Sequence, residues 1–195
     1  VNNIAVQGYI RDIEFSHDVG SIDYNKASII CPGANGKEDD LFLIQFKKLS
    51  NKYKDGDFIE FKGNLRSYTS KKENGKSQVL IYIFTYFDLP DIPINTTKID
   101  GRICKIDSLR HSSAGVPYIH FTLANNIFKG NSKLNSYIPC TAYGEQAKKL
   151  SLNKVNDFIC VDGRFHSHTY KRKTDKEIML AHEVIVKNYE VITNG

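Results

Sequence analysis

The sequence predicts an all-β protein made of two tandem five-stranded barrels. Three observations predict it. A segment recurs: "DFIEFKGNLRSYTSKK" from Asp57 returns as "DFICVDGRFHSHTYKRK" from Asp157. Apolar and polar residues alternate along the candidate strands. A single short helical pattern, Glu145 to Leu150, falls between the third and fourth strand of the second copy.

The repeat sets the organisation. Asp57, Phe58, Ile59, Gly63, Ser67 and Thr69 recur 100 residues later as Asp157, Phe158, Ile159, Gly163, Ser167 and Thr169. "GYIRDI" from Gly8 matches "GRICKI" from Gly101, so the offset drifts as loops differ in length. A unit of about 95 residues is too long for a solenoid repeat and has the size of a small domain. The break falls in "DLPDIPINTT", Asp88 to Thr97, where prolines, acids and amides cluster. Two domains are expected, residues 1–90 and 96–190.

The elements follow in order. The first half should hold strands near 4–15, 22–31, 41–46, 57–69 and 77–87, with an Asn-Gly hairpin turn in "ENGK", Glu73 to Lys76. The second should hold strands near 97–107, 116–125, 135–143, 156–170 and 177–187. In the fourth strands, Ile59, Phe61 and Leu65, and likewise Ile159, Val161 and Phe165, point to the core. Glu60, Lys62, Asn64, Arg66 and Tyr68 point away, as do Arg164, His166, His168 and Tyr170. Gly63 and Gly163 sit in mid-strand, which implies a bulge or sharp bend. Five strands with a short helix between the third and fourth is the layout of an OB-fold barrel, expected in both halves.

Charge separates the halves. The chain carries a net +5. Residues 1–95 hold 12 Lys and Arg against 13 Asp and Glu; residues 96–195 hold 15 against 9. A polyanion would therefore favour the second half. No apolar run approaches a membrane span, no signal peptide is visible, and a cytoplasmic location is expected. Cys31, Cys104, Cys140 and Cys160 have no zinc spacing and read as buried thiols of a reducing compartment. His166 and His168 share a face but lack a third metal ligand. No Walker loop, HExxH or Gly-x-Ser-x-Gly is present, so neither an enzyme nor a cofactor is expected.

In the second half "SAGVPYIHFTLANNIF", "SYIPCTAYGEQAKKL" and "DFICVDGRFHSHTY" occur in order. Together they resemble bacterial single-stranded DNA-binding proteins, over most of residues 97–187, in the tandem OB-fold form. The resemblance implies that bases stack on Tyr137, Tyr143 and Tyr170, with Phe128 in the loop after the second strand as an approximate match. Arg164, His168, Lys171, Arg172 and Lys173 lie where phosphates would pass, although such a charge run is ordinarily just a solvated loop. In the first half Phe46 falls opposite Tyr143, Asp40 opposite Tyr137 and Ser70 opposite Tyr170, with Arg66 and Tyr68 placed to compensate. Two features depart from the family. The chain has no Trp, and "NYEVITNG" lacks the acidic tip that recruits replication and repair proteins.

The expectation is sequence-independent binding of single-stranded DNA in replication, recombination or repair. Two alternatives remain open: an OB-fold accessory subunit that binds a polymerase, primase or primosome with weak DNA affinity, and RNA binding. "QVLIYIFTYF", Gln78 to Phe87, is apolar on both faces. Its outer face is expected to be covered by the second barrel or by another chain. The related proteins assemble four barrels, which implies a homodimer of this two-barrel chain.

Overall fold

The computed structural model describes residues 1–33, 37–48, 52–71, 77–85, 92–129, 132–172 and 176–192. Side chains are described throughout these except at 70–71, 77–79, 127–129 and 132–133. Five strands form the first half: β1 (Asn2–Val19), β2 (Ile22–Cys31), β3 (Asp40–Lys47), β4 (Phe58–Lys71) and β5 (Ser77–Phe84). The second half has β6 (Thr96–Ile106), β7 (Arg110–His111), β8 (Pro117–Lys129), β9 (Ser132–Tyr143), α1 (Gly144–Leu150), β10 (Phe158–Lys171) and β11 (Ile178–Val191). The fold is mostly β, as alternation predicts. The hairpin turn expected at 73–76 and most of the expected break lie outside the described residues.

In each half the strand pairing returns to its starting strand. β1 pairs β2, β2 pairs β3, β3 pairs β5 in parallel, β5 pairs β4, and β4 pairs β1. In the second half β6 pairs β8, β8 pairs β9, β9 pairs β11 in parallel, β11 pairs β10, and β10 pairs β6. The closing parallel contacts are short, three residue pairs between β3 and β5 and two between β9 and β11. Inward residues of each cycle are apolar and fully buried: Ile4, Ile29, Phe42, Phe61 and Ile83 in one, Ile99, Leu123, Ile138, Val161 and Val184 in the other.

The duplication is visible bond by bond. The Ile10 amide donates to the Asp57 carbonyl as that of Ile103 donates to Asp157. The turns "KDGD" and "KVND" both close with an amide, Lys54 or Lys154, donating to a carboxylate, Asp57 or Asp157. Both turns need a left-handed residue, supplied by Gly56 (φ +92°) and Asn156 (φ +79°). Gly63 and Gly163 each sit where a neighbouring strand approaches too closely for a side chain. A Cβ at Gly63 would lie 2.6 Å from the Phe84 carbonyl oxygen, and one at Gly163 would lie 2.3 Å from that of Ile185. β10 bulges beside Gly163.

The expected helix is present in only one half among the described residues. Gly144 turns the chain out of β9 with φ +60°, and Glu-Gln-Ala-Lys-Lys-Leu then buries Ala147 and Leu150 along one face. The corresponding slot of the first half reads "SNKYKDGD", rich in turn formers and poor in helix formers.

The halves join along an approximate two-fold axis. β1 pairs β6 antiparallel, Asn2 opposite Ile99. The Tyr137 amide donates to Ser67 Oγ at 2.7 Å, and the Leu41 amide donates to Ser167 Oγ at 2.8 Å. The Ser67 amide faces Ser136 Oγ at 3.4 Å, and the Ser167 amide donates to Asp40 Oδ1 at 2.8 Å. These reciprocal bonds make Leu41 the counterpart of Tyr137 and Asp40 that of Ser136. Phe42 stacks on Phe165 across the junction, with centroids 4.6 Å apart.

Candidate nucleic-acid interface

β9 alternates apart from Thr141, which lies on the outer face yet is buried beneath Glu183 and His120. Ile138, Cys140 and Ala142 are buried, while Tyr137 and Tyr143 point outward, 49% and 45% exposed. They share a face because six residues separate them on a strand of period two. Tyr143 packs at 6.2 Å against Tyr118 of β8, which meets His120 edge-on. Partial burial first, then Glu183 and Tyr118, hold the Tyr143 phenol above its ordinary pKa, so the ring stays neutral.

Beside these rings runs a column on β10: Arg164, His166, His168 and Tyr170. His166 lies 6.0 Å from His168, and His168 lies 6.4 Å from Tyr170. Tyr170 is 46% exposed and Lys171 is exposed. Between β9 and β10, Glu183 of β11 accepts from the Thr141 hydroxyl and faces His168 Nδ1 at 3.5 Å. Thr141 in turn meets His120 Nδ1 at 2.7 Å. The structure thus brings Tyr137, Tyr143, Tyr170 and His168 onto one outer surface, and leaves Lys171 exposed at the end of β10.

Other expected residues fare differently. Arg164 Nη1 stands 3.7 Å from Asp40 Oδ2, and His166 Nδ1 is 2.7 Å from Asp40 Oδ1, so both serve the junction between halves. Arg172 is held by Glu177 at 2.6 Å and by the Met179 sulfur at 2.9 Å. Lys173 lies outside the described residues. Phe128 is on β8, opposite Lys133, not in a loop, and its side chain is not among those described.

Phe46 requires correction. It is 4% exposed, with its ring spent edge-on against Tyr53 and Phe61, so a base has no access to it. The register explains the error. Ile44 pairs with Ile83 as Cys140 pairs with Val184, which makes Lys47, not Phe46, the counterpart of Tyr143. Arg66 is buried, its guanidinium 4.8 Å above the Phe84 ring. Tyr68 is 50% exposed and meets Tyr82 edge-on at 5.5 Å.

Within this chain the outer face of β5 is approached by the chain's own β1–β2 hairpin, not by the second half. β1 runs to Val19, past the expected end, through register shifts at 11–14 and 15–17. Tyr24 of that hairpin sits between His17 at 5.0 Å and Phe84 at 5.6 Å. A groove of about 670 Å³ remains, lined by Tyr24, Arg66, Tyr68, Leu80, Tyr82 and Phe84 among others. Sequence reasoning missed Tyr118, His120, Thr141 and Glu183. Alternation in "VPYIHF" places Tyr118 and His120 outward; the Thr141–Glu183 bond spans 42 residues and has no local signal.

Cys31, Cys140 and Cys160 are buried free thiols as expected, but Cys104 is exposed. Burial and the nearby Asp40 push the Cys31 thiol to about 12. Among the described residues no three His, Cys, Asp or Glu gather as metal ligands, and no helix is long and apolar enough to cross a membrane.

The model of the single-strand binding protein family matches residues 94–192. The chain belongs to the single-strand binding protein family. No curated protein matches it. Among solved structures, the wild-type single-stranded DNA-binding protein from Thermus aquaticus superposes with a TM-score of 0.72 at 15% identity. That match covers 100% of this chain and 94% of the other. A deletion mutant of the same protein gives 0.72 and 15%, covering 100% and 96%. The likeness of fold therefore runs through both halves, while the family model falls on the second half, which carries Tyr137, Tyr143 and Tyr170.

Proposed function

We propose that the chain binds single-stranded DNA without sequence preference, by stacking bases on Tyr137, Tyr143 and Tyr170 and by contacting phosphates through His168 and Lys171. In this reading residues 1–90 and 96–190 are two OB-fold barrels, each made by one cycle of strand pairing. The observation that carries it is the outer surface of β9 and β10. Exposed rings sit there at strand spacing, on the basic half that the family model matches. Every base offers a π-face, so stacking worth about 1–3 kcal/mol per base needs no sequence. The mechanism is binding, with no covalent step, and it suits a role in replication, recombination or repair.

Titration of labelled dT and rU oligomers at two salt concentrations tests it. Tight binding of dT that weakens with salt supports the reading. Preference for rU would make the target RNA. Salt-independent weakness toward both would leave the accessory-subunit role instead.

A further inference from the structure

A polar chain crosses the second half from strand to strand. His120 of β8 meets Thr141 of β9, the Thr141 hydroxyl donates to Glu183 of β11, and Glu183 Oε1 stands 3.5 Å from His168 Nδ1 on β10. Thr141 is fully buried, while both histidines are exposed.

Chemistry fixes the direction of these bonds. An ionised carboxylate only accepts, so the Thr141 proton is spent on Glu183. Thr141 Oγ1 must then accept on its other side, and His120 Nδ1, 2.7 Å away, carries the hydrogen. His168 turns Nδ1 toward the same carboxylate and carries its hydrogen there for the same reason. In each ring Nε2 is left to gain or lose a proton. Neutral, it only accepts; protonated, it offers an N–H to an anion.

The surrounding charges are balanced. Asp107 lines the same pit of about 200 Å³ as His120 and Glu183, and faces Lys105 at 3.6 Å and Arg110 at 3.8 Å. His166, 6.0 Å from His168, meets Asp40 across the junction at 2.7 Å. Tyr143 and the buried Cys140 thiol are held protonated, by burial first and by Glu183 second. Tyr118 lies 5.3 Å from His120 and Tyr170 lies 6.4 Å from His168, and phenols are ordinarily neutral below about pH 10. Burial keeps the ring of His182 neutral. The balance then rests on Glu183 and the two exposed rings. With both rings neutral the set carries a single negative charge and repels a phosphate. With both protonated it carries a single positive charge and two N–H donors. Histidine is the side chain that makes this change between about pH 5 and 8.

We propose that His120 and His168, held by Thr141 and Glu183, take up protons as single-stranded DNA binds, so that the strand is gripped more tightly in mild acid. The proposal rests on the single-stranded DNA reading above and adds its regulation. A phosphate beside an imidazole favours the charged ring. The bound state therefore holds more protons than the free one, and affinity rises as pH falls.

Anisotropy of labelled oligo-dT at constant ionic strength tests it. Kd should fall about 10-fold from about pH 8 to about pH 6, the effect of one proton taken up across one pH unit. His120→Gln should cut the gain to about 3-fold, and His120→Gln combined with His168→Gln should erase it. A thermal melt at each pH confirms that the variants are folded. Glu183→Gln keeps an acceptor for Thr141 and should tighten binding about 3-fold at about pH 8, by removing a unit charge several Å from a phosphate. Equal affinity of the parent at both pH values, the full gain in the folded double variant, or weaker binding by folded Glu183→Gln overturns the network and leaves the stacking surface standing. No binding by the parent at any pH overturns the broader reading, and the proton linkage with it.

Discussion

Replacing Tyr143 by Ala removes a ring from the centre of the outer surface without opening the core. Its inward neighbours Ile138, Cys140 and Ala142 are untouched, and the ring is nearly half exposed. The structural loss is its pairing with Tyr118 at 6.2 Å, about 0.5–1.5 kcal/mol for a good aromatic pair. For a chain of this size that lowers Tm by about 1–6 °C. The functional loss is one base stack, about 1–3 kcal/mol, or about 5- to 150-fold in Kd. The phenol is neutral, so the slope of log Kd against log salt should not change, which separates stacking from phosphate contact. Tyr137→Ala should behave alike. The two rings are about 20 Å apart at 3.3 Å per residue, so the double variant should show additive losses. Fluorescence anisotropy of labelled dT at about 0.1 M and about 0.3 M NaCl measures both quantities, since the salt dependence isolates the phosphate contacts, and a thermal melt confirms folding. Folded variants that bind within about twofold of the parent, less than the smallest stack, would place the stacking surface elsewhere.

Lys171→Ala should lower the salt slope by about one, because Lys171 is exposed, whereas Arg172→Ala should lower it less, because Glu177 already holds that guanidinium at 2.6 Å; equal slopes for the two variants would refute the distinction. His182 is buried and its ring donates from Nε2 to the Leu41 carbonyl at 2.8 Å. Burial lowers its pKa below 6.5 despite that bond. The unfolded chain therefore takes up the proton first, so this contribution to stability is complete above about pH 6.5 and is lost as pH falls toward the lowered value. His182→Gln should flatten the fall in Tm across that window, and a parent-like pH profile in the variant would remove His182 as its source. The homodimer expected from the four-barrel habit of related proteins is read by sedimentation at micromolar concentration: a mass of one chain refutes it.

The surface of the second half is legible because the simple period of two holds across its outward rings. Tyr137 and Tyr143 lie on an unbroken strand, so counting by twos gives both their shared face and the burial of Ile138, Cys140 and Ala142. The alignment of the two halves, not the alternation, fails at Phe46: it sets Phe46 against Tyr143, one residue off the observed register, although counting by twos groups Phe46 with the buried Phe42 and Ile44. A slip of one residue exchanges the two faces of a strand, which turns a core ring into an apparent binding residue. The β1–β2 hairpin of the first half is hidden for a related reason. β1 shifts register twice, and Asp12 takes φ +58° at the first shift, so alternation stops before the strand does. Arg164 and His166 instead have a partner that sequence distance hides. Their partner Asp40 lies 126 residues from His166 in sequence, and no local pattern announces a carboxylate waiting across the junction. That junction also shows what the duplication permitted. The position that faces the Ser67 amide, Ser136 in one copy, is Asp40 in the other, where it accepts from Ser167, meets His166 and faces Arg164. The charged version draws an arginine of the β10 column toward the first half. Once joined unequally, the copies no longer had to present the same outer face: the second carries Tyr137, Tyr143 and Tyr170 in the open, while in the first the β1–β2 hairpin stands beside a half-buried Tyr82 and leaves Tyr68 exposed.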